Sequence, residues 1–588
     1  MSNVSEFTVA FVGAGGDGAV AASDIIAAVC AGEGLHVIKT EAYGPQTRGG
    51  ESSATVRVSS VPIYAQSDRV DLLLVFRWED FGRFRDEIVL ADDAIILHER
   101  ADPVPADVAV AGRRFVPFAF TQLSRDAGAP KSKNIVAVGA AVALCGLPAG
   151  AARAAIMRRF ARKAPAVVEA NLRAFDVAAD STPALGRRLD YTPAAPRLLM
   201  SGNEACAVAA IDAGCRFFAG YPITPSTEIL QYLAEWLPRF DGTALQTEDE
   251  LAAIGAVIGA SFAGKKALTA TSGPGLSLMS EMLGLSAIAE IPAVIIDVQR
   301  GGPSTGSPTK SEQSDLAHAL YGSHGDTPRV VIACSDVEES YHATVDAFNI
   351  AEEFQVPVIL LSDQSIAQRR QTVDAEALRH EVIPRRLASG GDEYRRYALT
   401  ADGVSPMTIP GSVGGIYQTN GLEHDEHGRP SAMFGTHEQM NAKRFRKLES
   451  IAERYPLFSR CGAEDADIGI VCWGSSAGTV REAVTRMQAD GLPVAAFVPR
   501  MLMPLPVGAL QAFAESCRQI LVIELSHSAQ FHHYLRTLVD LPRDRTRVYA
   551  RSGGRALSVE EVMREVHALN TIVRSSAVEA NSLEEAMA

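Results

Sequence analysis

One local pattern recurs along this chain of 588 residues. An apolar run is followed by a turn rich in polar residues or glycine, and then by a helical repeat. The sharpest instance lies at 217–237, where Phe-Phe-Ala-Gly leads into Tyr-Pro-Ile-Thr-Pro-Ser-Thr-Glu and a helical apolar pattern. In open parallel sheets such a turn lies at the carboxyl ends of the strands, where ligands bind. The recurrence predicts an α/β fold with several doubly wound parallel-sheet domains.

Two roles for Thr224 compete within this turn. Its hydroxyl can cap the following helix, and Pro225 suits the first helical position, where no backbone donor is needed. Alternatively, the turn forms one wall of a ligand site. The residues that follow in the chain favour the second role.

Three further polar segments stand next to predicted strands of the same domain. Glu250 ends an acidic run and precedes a helix that is apolar on all faces, so we expect its carboxylate to be desolvated. Ser272 opens a Ser-Gly-Pro-Gly turn, and Arg300 follows the apolar strand at 292–298. Taken singly, an acid here can complement a helix dipole and an arginine can be structural. Together with Thr224 at one sheet edge, they predict a site.

The N-terminal region carries a glycine turn, Gly-Ala-Gly-Gly-Asp-Gly at 13–18, between a predicted strand and a helix. Glu41 lies about twenty residues on, which is the layout of a dinucleotide fingerprint. The same turn would suit another phosphate group or close packing of strand on helix. Asp17 inside the turn would repel a phosphate unless its side chain points away. A second glycine-rich loop, at 43–52, contributes one cation, Arg48.

Composition and spacing divide the chain and exclude several classes of function. A net charge of −15 argues against a nucleic-acid partner. None of the eight cysteines forms a Cys-x-x-Cys pair, which argues against a zinc or iron–sulfur site built within this chain and fits a reducing cytosol. The predicted parts are an N-terminal domain at 1–185, a second domain at 199–370, an irregular insert at 371–450, a smaller parallel α/β domain at 451–570, and a polar tail at 571–588.

Two segments invite a metal or membrane interpretation, and both have a simpler one. The cluster Glu-His-Asp-Glu-His at 423–427 has adjacent ligands without the i,i+4 spacing of a helical metal site, so a solvated loop is expected. The longest uncharged run, 134–152, is interrupted by Pro148. It predicts a buried helix and a turn rather than a membrane span.

The motifs together resemble those of the 2-oxoacid:ferredoxin oxidoreductases, which use thiamine diphosphate. The likeness is to the large subunit of the two-subunit type, in which a γ-like domain is fused ahead of an α-like part. It implies a Rossmann-like γ domain, a pyrimidine-binding domain and a transketolase C-terminal-like domain. The matching motifs are Tyr-Pro-Ile-Thr-Pro-Ser at 221–226, Thr-Glu-Asp-Glu at 247–250, Thr-Ser-Gly-Pro-Gly at 271–275, Gln-Arg-Gly-Gly-Pro-Ser-Thr-Gly at 299–306, and the glycine segments at 13–18 and 43–50.

The resemblance assigns roles to the residues of the predicted site. Glu250 would hydrogen-bond the aminopyrimidine ring of the cofactor, where a desolvated carboxylate has the raised proton affinity that the work needs. Arg300 would pair with the 1-carboxylate of the 2-oxoacid, and Thr224 would hydrogen-bond substrate or cofactor. Further cofactor contacts are expected from Tyr221, Pro222, Ile223, Ser272 and Gly273.

The resemblance also bears on the substrates. The Gly-Gly-Pro-Ser-Thr-Gly loop, continuing to Lys310, looks most like enzymes that act on 2-oxoglutarate. A dicarboxylate needs a second cation, which Lys310 or His318 could supply. Pyruvate and branched-chain 2-oxoacids are the nearest alternatives. Coenzyme A is the expected acyl acceptor, with Arg48 and Gly49 of the γ-like domain as candidate contacts.

The remaining parts of such an enzyme are expected on another chain. A β subunit would hold the cofactor diphosphate, Mg²⁺ and a [4Fe–4S] cluster, in a cytoplasmic (αβ)₂ assembly that reduces ferredoxin. No metal site is assigned to this chain, and neither nucleic acid nor membrane is expected as a partner. Two alternatives from other classes are an NAD-linked dehydrogenase that uses the 13–18 turn with Glu41, and a non-catalytic scaffold subunit.

Overall fold

The computed structural model describes residues 3–44, 50–109, 113–184, 188–571 and 573. The chain divides into two compact units. The first is Met1–Ser201 with Gln368–Ala377, and the second is Gly202–Ala367 with Leu378–Ala588. Alternating helices and strands in both units, with a largely parallel seven-stranded sheet in the second, confirm the predicted α/β fold class.

The N-terminal region begins with a strand, a glycine turn and a helix, as the sequence predicts. Its strands are β1 (Asn3–Val4), β2 (Glu6–Ala14), β3 (His36–Tyr43), β4 (Glu51–Ser59), β5 (Val70–Val75), β6 (Leu90–Glu99), β7 (Arg114–Phe118), β8 (Arg188–Leu189) and β9 (Leu198–Ser201). Its helices are α1 (Ala19–Gly32), α2 (Trp78–Phe84), α3 (Phe120–Asp126), α4 (Lys133–Cys145), α5 (Ala149–Phe160) and α6 (Pro165–Ser181).

The middle of the chain repeats the alternation of strand and helix. Its strands are β10 (Cys215–Gly220), β11 (Thr243–Gln246), β12 (Lys266–Thr271), β13 (Ala293–Gln299), β14 (Val330–Ala333), β15 (Pro357–Asp363) and β16 (Arg370–Val373). Its helices are α7 (Gly202–Asp212), α8 (Thr227–Trp236), α9 (Glu250–Phe262), α10 (Gly273–Ile288), α11 (Leu316–Tyr321), α12 (Val337–Phe354) and α13 (Gln364–Gln368), with a 3-10 helix at Leu237–Phe240.

The C-terminal region starts with a long irregular segment and then returns to the same alternation. Its helices are α14 (Phe434–Arg454), α15 (Ser476–Ala489), α16 (Val507–Ser516) and α17 (Gln530–Leu538), and residues 559–571 are also helical. Its strands are β17 (Phe458–Gly462), β18 (Ile468–Val471), β19 (Val494–Pro499), β20 (Met501–Met503), β21 (Gln519–Glu524) and β22 (Thr546–Ala550).

The first unit contains an eight-stranded sheet in the order β7-β6-β5-β2-β4-β3-β16-β9. The four strands from β7 to β2 are parallel, whereas β4 is antiparallel to both β2 and β3. The sheet is therefore mixed, where the sequence predicted a parallel one, because the chain between Tyr43 and Glu51 is too short for the crossover that parallel pairing of β3 and β4 would require. Strands β9 and β16 complete this sheet, although the sequence prediction assigned them to the second domain and the insert.

The second unit contains a seven-stranded sheet, β11-β10-β12-β13-β15-β14-β20, and a five-stranded sheet, β17-β19-β18-β21-β22. In the seven-stranded sheet, the edge strand β20 is antiparallel to its neighbour, and the other strands pair in parallel. The carboxyl ends of the parallel strands β10 to β15 therefore lie at one edge. The turns after β10, β11, β12 and β13 carry the predicted site residues to this edge.

The uncharged run at 134–152 covers most of α4, the connection that contains Pro148, and the start of α5. α4 is buried along most of its length, and α5 begins directly after the proline. The prediction of a buried helix followed by a turn is confirmed. Over the described ranges, no helix combines the length and the apolar character that crossing a bilayer requires.

Candidate functional site

The turn after β10 contacts the residue that follows β13. The exposed Thr224 offers its backbone carbonyl to Arg300, whose Nη1 donates to it at 2.5 Å. In the sheet, only β12 separates the two strands. Two of the predicted site residues are therefore in direct contact across the carboxyl edge.

Thr224 does not cap α8, so the capping hypothesis is wrong. The helix begins at Thr227 with Ser226 as its N-cap residue. The carbonyl of Ile223 accepts hydrogen bonds from the Thr227 amide and the Ser226 hydroxyl, both at 3.0 Å. These bonds close a further turn ahead of the helix, which places Pro225 before the N-cap rather than at the first helical position.

Glu250 is the first residue of α9 and is largely withdrawn from water. Asp249 caps the helix, accepting a hydrogen bond from the Ala252 amide at 2.8 Å. Glu250 is only 5% exposed, and burial raises its pKa. A Cβ atom on Gly275 would come within 2.6 Å of Glu250 Oε1. Gly275 therefore leaves the space that this carboxylate occupies.

The N-terminal turn of α10 is packed on two sides. Gly275 faces Glu250, while a Cβ atom on Gly273 would lie 2.6 Å from Asp315 Oδ1. Ser272, the N-cap residue, has a buried hydroxyl with no hydrogen-bond partner among the described residues. The N-terminal turn of α10 therefore lies between Glu250 and Asp315.

Arg300 is a buried cation with an unused donor. Its side chain is 6% exposed, and burial lowers its pKa while Asp315 opposes that effect. Its Nε has no hydrogen-bond partner in the part of the chain that the structure describes. A guanidinium held by one bond to Thr224, with a donor to spare, can pair with a ligand carboxylate.

Two acids near Arg300 were not identified from the sequence. Asp297 lies within β13, is fully buried, and has no hydrogen-bond partner for either carboxyl oxygen among the described residues. Burial raises its pKa well above the usual range, and Asp315 adds to this effect. Burial likewise raises the pKa of Asp315, although Arg300 opposes it. The sequence signal that could have identified Asp297 was a single acid among the apolar residues of β13, Ala-Val-Ile-Ile-Asp-Val-Gln.

The loop after Arg300 folds back on itself and contacts the C-terminal region. The Gly301 amide donates to the Lys310 carbonyl at 2.9 Å. A Cβ atom on Gly554 would lie 2.4 Å from Lys310 Cβ, so the Lys310 side chain passes over that glycine. His318, the other candidate second cation, lies on α11 with Nε2 3.3 Å from Ser280 Oγ.

The glycine turn at 13–18 in the first unit is filled by its own acid. Asp17 Oδ2 accepts a hydrogen bond from the Ala14 amide at 3.1 Å, and Oδ1 pairs with Lys133 Nζ at 2.7 Å. The carboxylate thus takes a backbone donor that a phosphate would need. This geometry disfavours a phosphate role for the turn.

Glu41, the acid of the dinucleotide layout, is also engaged. Its carboxylate contacts the Lys39 ammonium and the Tyr43 hydroxyl. Together with the filled glycine turn, this pairing disfavours the NAD-linked alternative. Arg48 and Gly49, the candidate contacts for coenzyme A, lie outside the described residues.

The acidic and histidine-rich cluster of the insert is held by ion pairs. Glu423 accepts hydrogen bonds from Arg444 and from His437 Nδ1, the latter at 2.6 Å. His424 is buried, with Nδ1 2.9 Å from the Leu422 carbonyl oxygen. Within the described residues, no three His, Cys, Asp or Glu side chains are grouped as a metal site requires.

Comparison with protein families matches three segments of the chain. Residues 208–443 match the family described as "Pyruvate flavodoxin/ferredoxin oxidoreductase, thiamine diP-bdg". Residues 8–181 match "Pyruvate ferredoxin/flavodoxin oxidoreductase", and residues 466–562 match "Pyruvate:ferredoxin oxidoreductase core domain II". The site residues from Thr224 to Lys310 all fall in the first segment.

Individual relatives agree with these matches. The 2-oxoglutarate synthase subunit KorA of Methanothermobacter marburgensis is 38% identical over 371 residues, 62% of this chain and 97% of that protein. The 2-oxoacid:ferredoxin oxidoreductase subunit alpha of Saccharolobus solfataricus is 31% identical, over 75% of this chain and 72% of that protein.

A solved structure resembles nearly the whole chain. It is the 2-oxoglutarate:ferredoxin oxidoreductase from Magnetococcus marinus with 2-oxoglutarate, coenzyme A and succinyl-CoA bound. The TM-score is 0.92 at 37% sequence identity, and the match covers 96% of this chain and all of that chain. A match of this extent includes both units.

Proposed function

The chain belongs to the 2-oxoacid:ferredoxin oxidoreductase family, and on that premise we propose that it is the α subunit of a 2-oxoglutarate:ferredoxin oxidoreductase. The reaction converts 2-oxoglutarate and coenzyme A to succinyl-CoA and CO₂, and a pair of electrons passes one at a time to ferredoxin. The observation that carries the proposal is a buried carboxylate, Glu250, at the same sheet edge as a buried guanidinium, Arg300.

The surroundings of Glu250 fit the carboxylate partner that thiamine diphosphate needs at its aminopyrimidine ring. The side chain is nearly excluded from water, its pKa is raised by burial, and Gly275 leaves it room. The unpartnered hydroxyl of Ser272 lies at the start of the neighbouring helix. We assign the remaining contacts of the pyrimidine side to the turn after β10 and to α10, through Tyr221, Pro222, Ile223, Thr224, Ser272 and Gly273.

The cofactor supplies, when bound, a nucleophilic carbon and an electron sink that permit loss of CO₂ from a 2-oxoacid. Glu250 holds a proton at the ring nitrogen that it faces, and its raised proton affinity matches that task. Arg300 pairs with the 1-carboxylate and orients the 2-oxoacid. Thr224 adds a hydroxyl on an exposed turn that Arg300 itself fixes.

The choice of 2-oxoglutarate over other 2-oxoacids depends on a second cation. Lys310 follows the loop that begins at Arg300, and we assign it to the distal carboxylate. The names of two of the compared proteins, a 2-oxoglutarate synthase subunit and a 2-oxoglutarate:ferredoxin oxidoreductase, support this choice. Pyruvate and branched-chain 2-oxoacids lack the distal carboxylate and would leave Lys310 without that role.

The proposed enzyme needs a partner subunit. We assign the cofactor diphosphate, Mg²⁺ and the [4Fe–4S] cluster to a β subunit in an (αβ)₂ assembly, with ferredoxin as the acceptor. The sequence offers no Cys-x-x-Cys pair for such a cluster. Binding of coenzyme A by the γ-like domain stays a prediction, as does the cytoplasmic location.

The proposal is tested with the complex of this chain and its β subunit. Reduction of a viologen dye is followed with 2-oxoglutarate, pyruvate and branched-chain 2-oxoacids, each with and without coenzyme A. We expect reduction that depends on coenzyme A and is fastest with 2-oxoglutarate. A preference for pyruvate would overturn the substrate assignment, and no reduction with any 2-oxoacid would overturn the proposed function.

A further inference from the structure

The loop at 301–315, which follows Arg300, rests on the carboxyl edge of the five-stranded sheet. Strands β18, β21 and β22 pair in parallel, so their carboxyl ends lie at one edge. The fully buried Gln313 joins the loop to two of these ends. Its Nε2 donates to the Trp473 carbonyl at 2.7 Å, and its Oε1 accepts from the Leu525 amide at 2.9 Å. The C-terminal region therefore fixes the loop that begins beside the proposed substrate arginine.

Lys310 is held close to Arg300 by the backbone of this loop. The Gly301 amide donates to the Lys310 carbonyl at 2.9 Å, and the Gly301 carbonyl accepts from the Ser307 amide at 2.7 Å. The Lys310 amide in turn donates to the Ser307 carbonyl at 3.0 Å. These bonds tie the Lys310 backbone to the residue that follows Arg300. The course of the Lys310 side chain then depends on the surface against which it packs.

That surface is the glycine turn after β22. A Cβ atom on Gly554 would lie 2.4 Å from Lys310 Cβ, 2.9 Å from Cγ and 3.2 Å from Cδ, so the lysine side chain runs directly over this glycine. Gly554 has a φ of 70°, which glycine adopts without the strain that a side chain would bring. The amide of the neighbouring Gly553 donates to Glu312 Oε1 at 3.1 Å. The turn therefore contacts the loop at Lys310 and again at Glu312.

The turn at 551–556 is held in shape by its own hydrogen bonds. Arg551 donates to the Arg555 carbonyl at 2.8 Å and to the Ala556 carbonyl at 2.9 Å. Both arginines also pair with the carboxylate of Glu561, at 3.2 Å from Arg551 and 3.0 Å from Arg555. The cations of the turn are thus engaged with Glu561, and the turn is a preorganised surface for the Lys310 side chain.

We propose that Gly554 is a positioning residue for substrate selection, because the space above it sets the course of the Lys310 side chain toward the distal carboxylate of the 2-oxoacid. The inference rests on the proposed function, in which Lys310 pairs with that carboxylate. Gly554 does not touch the substrate and acts through Lys310. The C-terminal region thereby takes part in the choice of a dicarboxylate over a monocarboxylate.

Gly554→Ala places a methyl group where the Lys310 side chain runs, so the lysine must move. A displaced cation binds the distal carboxylate less well, and we expect the KM for 2-oxoglutarate to rise about tenfold with a much smaller change in kcat. The kcat/KM for pyruvate, which has no distal carboxylate, should stay unchanged. Initial rates of viologen reduction by the complex with the β subunit measure all of these constants.

A double-mutant cycle shows whether the effect passes through Lys310. Lys310→Ala alone should raise the KM for 2-oxoglutarate by about tenfold or more. Adding Gly554→Ala to Lys310→Ala should then change the KM no further, because the group that the methyl displaces is gone. A purely structural effect of the methyl group would persist in that background.

Gly325→Ala is the matched control. Gly325 has a φ of 66°, close to that of Gly554, but a Cβ atom there would have nothing within 4 Å. We expect its kinetics to equal those of the wild type. Thermal melting and assembly with the β subunit show whether each variant folds. If Gly554→Ala does not fold, Glu312→Ala removes the other contact between turn and loop and should give a smaller rise in the same KM.

An unchanged KM in the folded variant would overturn the inference, as would equal effects of Gly554→Ala with and without Lys310. With a wild type that prefers 2-oxoglutarate, either result leaves the proposed function standing. A wild type that prefers pyruvate overturns the proposed substrate, and the inference falls with it.

Discussion

At the residue scale, surroundings rather than residue type separate the acids of the Thr-Glu-Asp-Glu segment. Glu248 is exposed, Asp249 caps α9, and Glu250 is 5% exposed. Burial raises the pKa of Glu250, which is what a group that holds and returns a proton requires. Three acids in succession thus lie in three different environments.

Replacing Glu250 with glutamine is the sharpest test at this scale. Glu250→Gln keeps the shape and removes the proton-holding group, so we expect kcat to fall by at least about 100-fold. Turnover is measured in the assembled complex, and assembly itself should be unaffected. Glu248→Gln, an equal loss of charge at an exposed position, is the control. Near-normal turnover in Glu250→Gln would remove Glu250 from the mechanism.

Arg300 gives a second prediction at the same scale. Arg300→Ala removes the cation that we propose to pair with the substrate carboxylate, so we expect the KM for 2-oxoglutarate to rise by about tenfold or more. Arg300→Lys should give an intermediate KM, because lysine keeps the charge but lacks the planar guanidinium that can donate two hydrogen bonds to one carboxylate. Both constants come from initial rates with varied 2-oxoglutarate. If KM and kcat are unchanged in Arg300→Ala, the arginine is structural.

At the element scale, the N-terminal turn of α10 is tightly packed against Glu250. Gly275→Ala would place a Cβ atom 2.0 Å from Thr271 Oγ1 and 2.6 Å from Glu250 Oε1, so the carboxylate must move. A displacement near 1 Å can cost about 100-fold in rate, and we expect a loss of that order in kcat/KM.

Gly284→Ala is the matched control in the same helix. A Cβ atom there would have nothing within 4 Å, and alanine favours helix by up to about 1 kcal/mol. We expect normal kinetics and an equal or higher melting temperature. Equal kinetic losses in both variants would show that the effect comes from the helix and not from Glu250.

At the scale of the whole molecule, a buried ion cluster ties α14 to the end of α10. Glu290 is fully buried and accepts from Lys443 at 2.6 Å and Lys447 at 2.5 Å. Burial alone would raise the pKa of Glu290, but the two ammonium groups hold it below the usual range. Glu290 therefore contributes stability above pH 4.5, the ordinary pKa of glutamate, and this contribution is lost as the pH falls, whereas burial lowers the pKa values of Lys443 and Lys447 and so opposes it at higher pH.

Breaking this cluster tests how the second unit is held together. Glu290→Gln leaves two buried ammonium groups without their anion, so we expect a loss of about 3–5 kcal/mol in the free energy of unfolding. Urea unfolding at neutral pH measures the loss, and the acid dependence of stability should weaken in the variant. Glu281→Gln, at an exposed position of α10, should leave both unchanged.

The sequence by itself determined the features that depend on local spacing. Apolar runs, turns and helical repeats predicted the α/β class and the sheet edge. The motifs selected Thr224, Glu250 and Arg300, of which the first and last are in contact. Such information is local because strand and helix periodicity follow from backbone geometry, and parallel strands bring their carboxyl ends to one edge.

The sequence predicted that Glu250 is desolvated, but only the tertiary structure decided what the site groups face. Asp315 is bonded through its amide to Gln299 and lies over Gly273, and Asp297 is the one acid within β13. In the structure, the Asp17 carboxylate occupies the glycine turn, and α8 begins at Thr227, after Thr224. Desolvation and ion pairing depend on atoms that are distant in the chain, so no local pattern contains them.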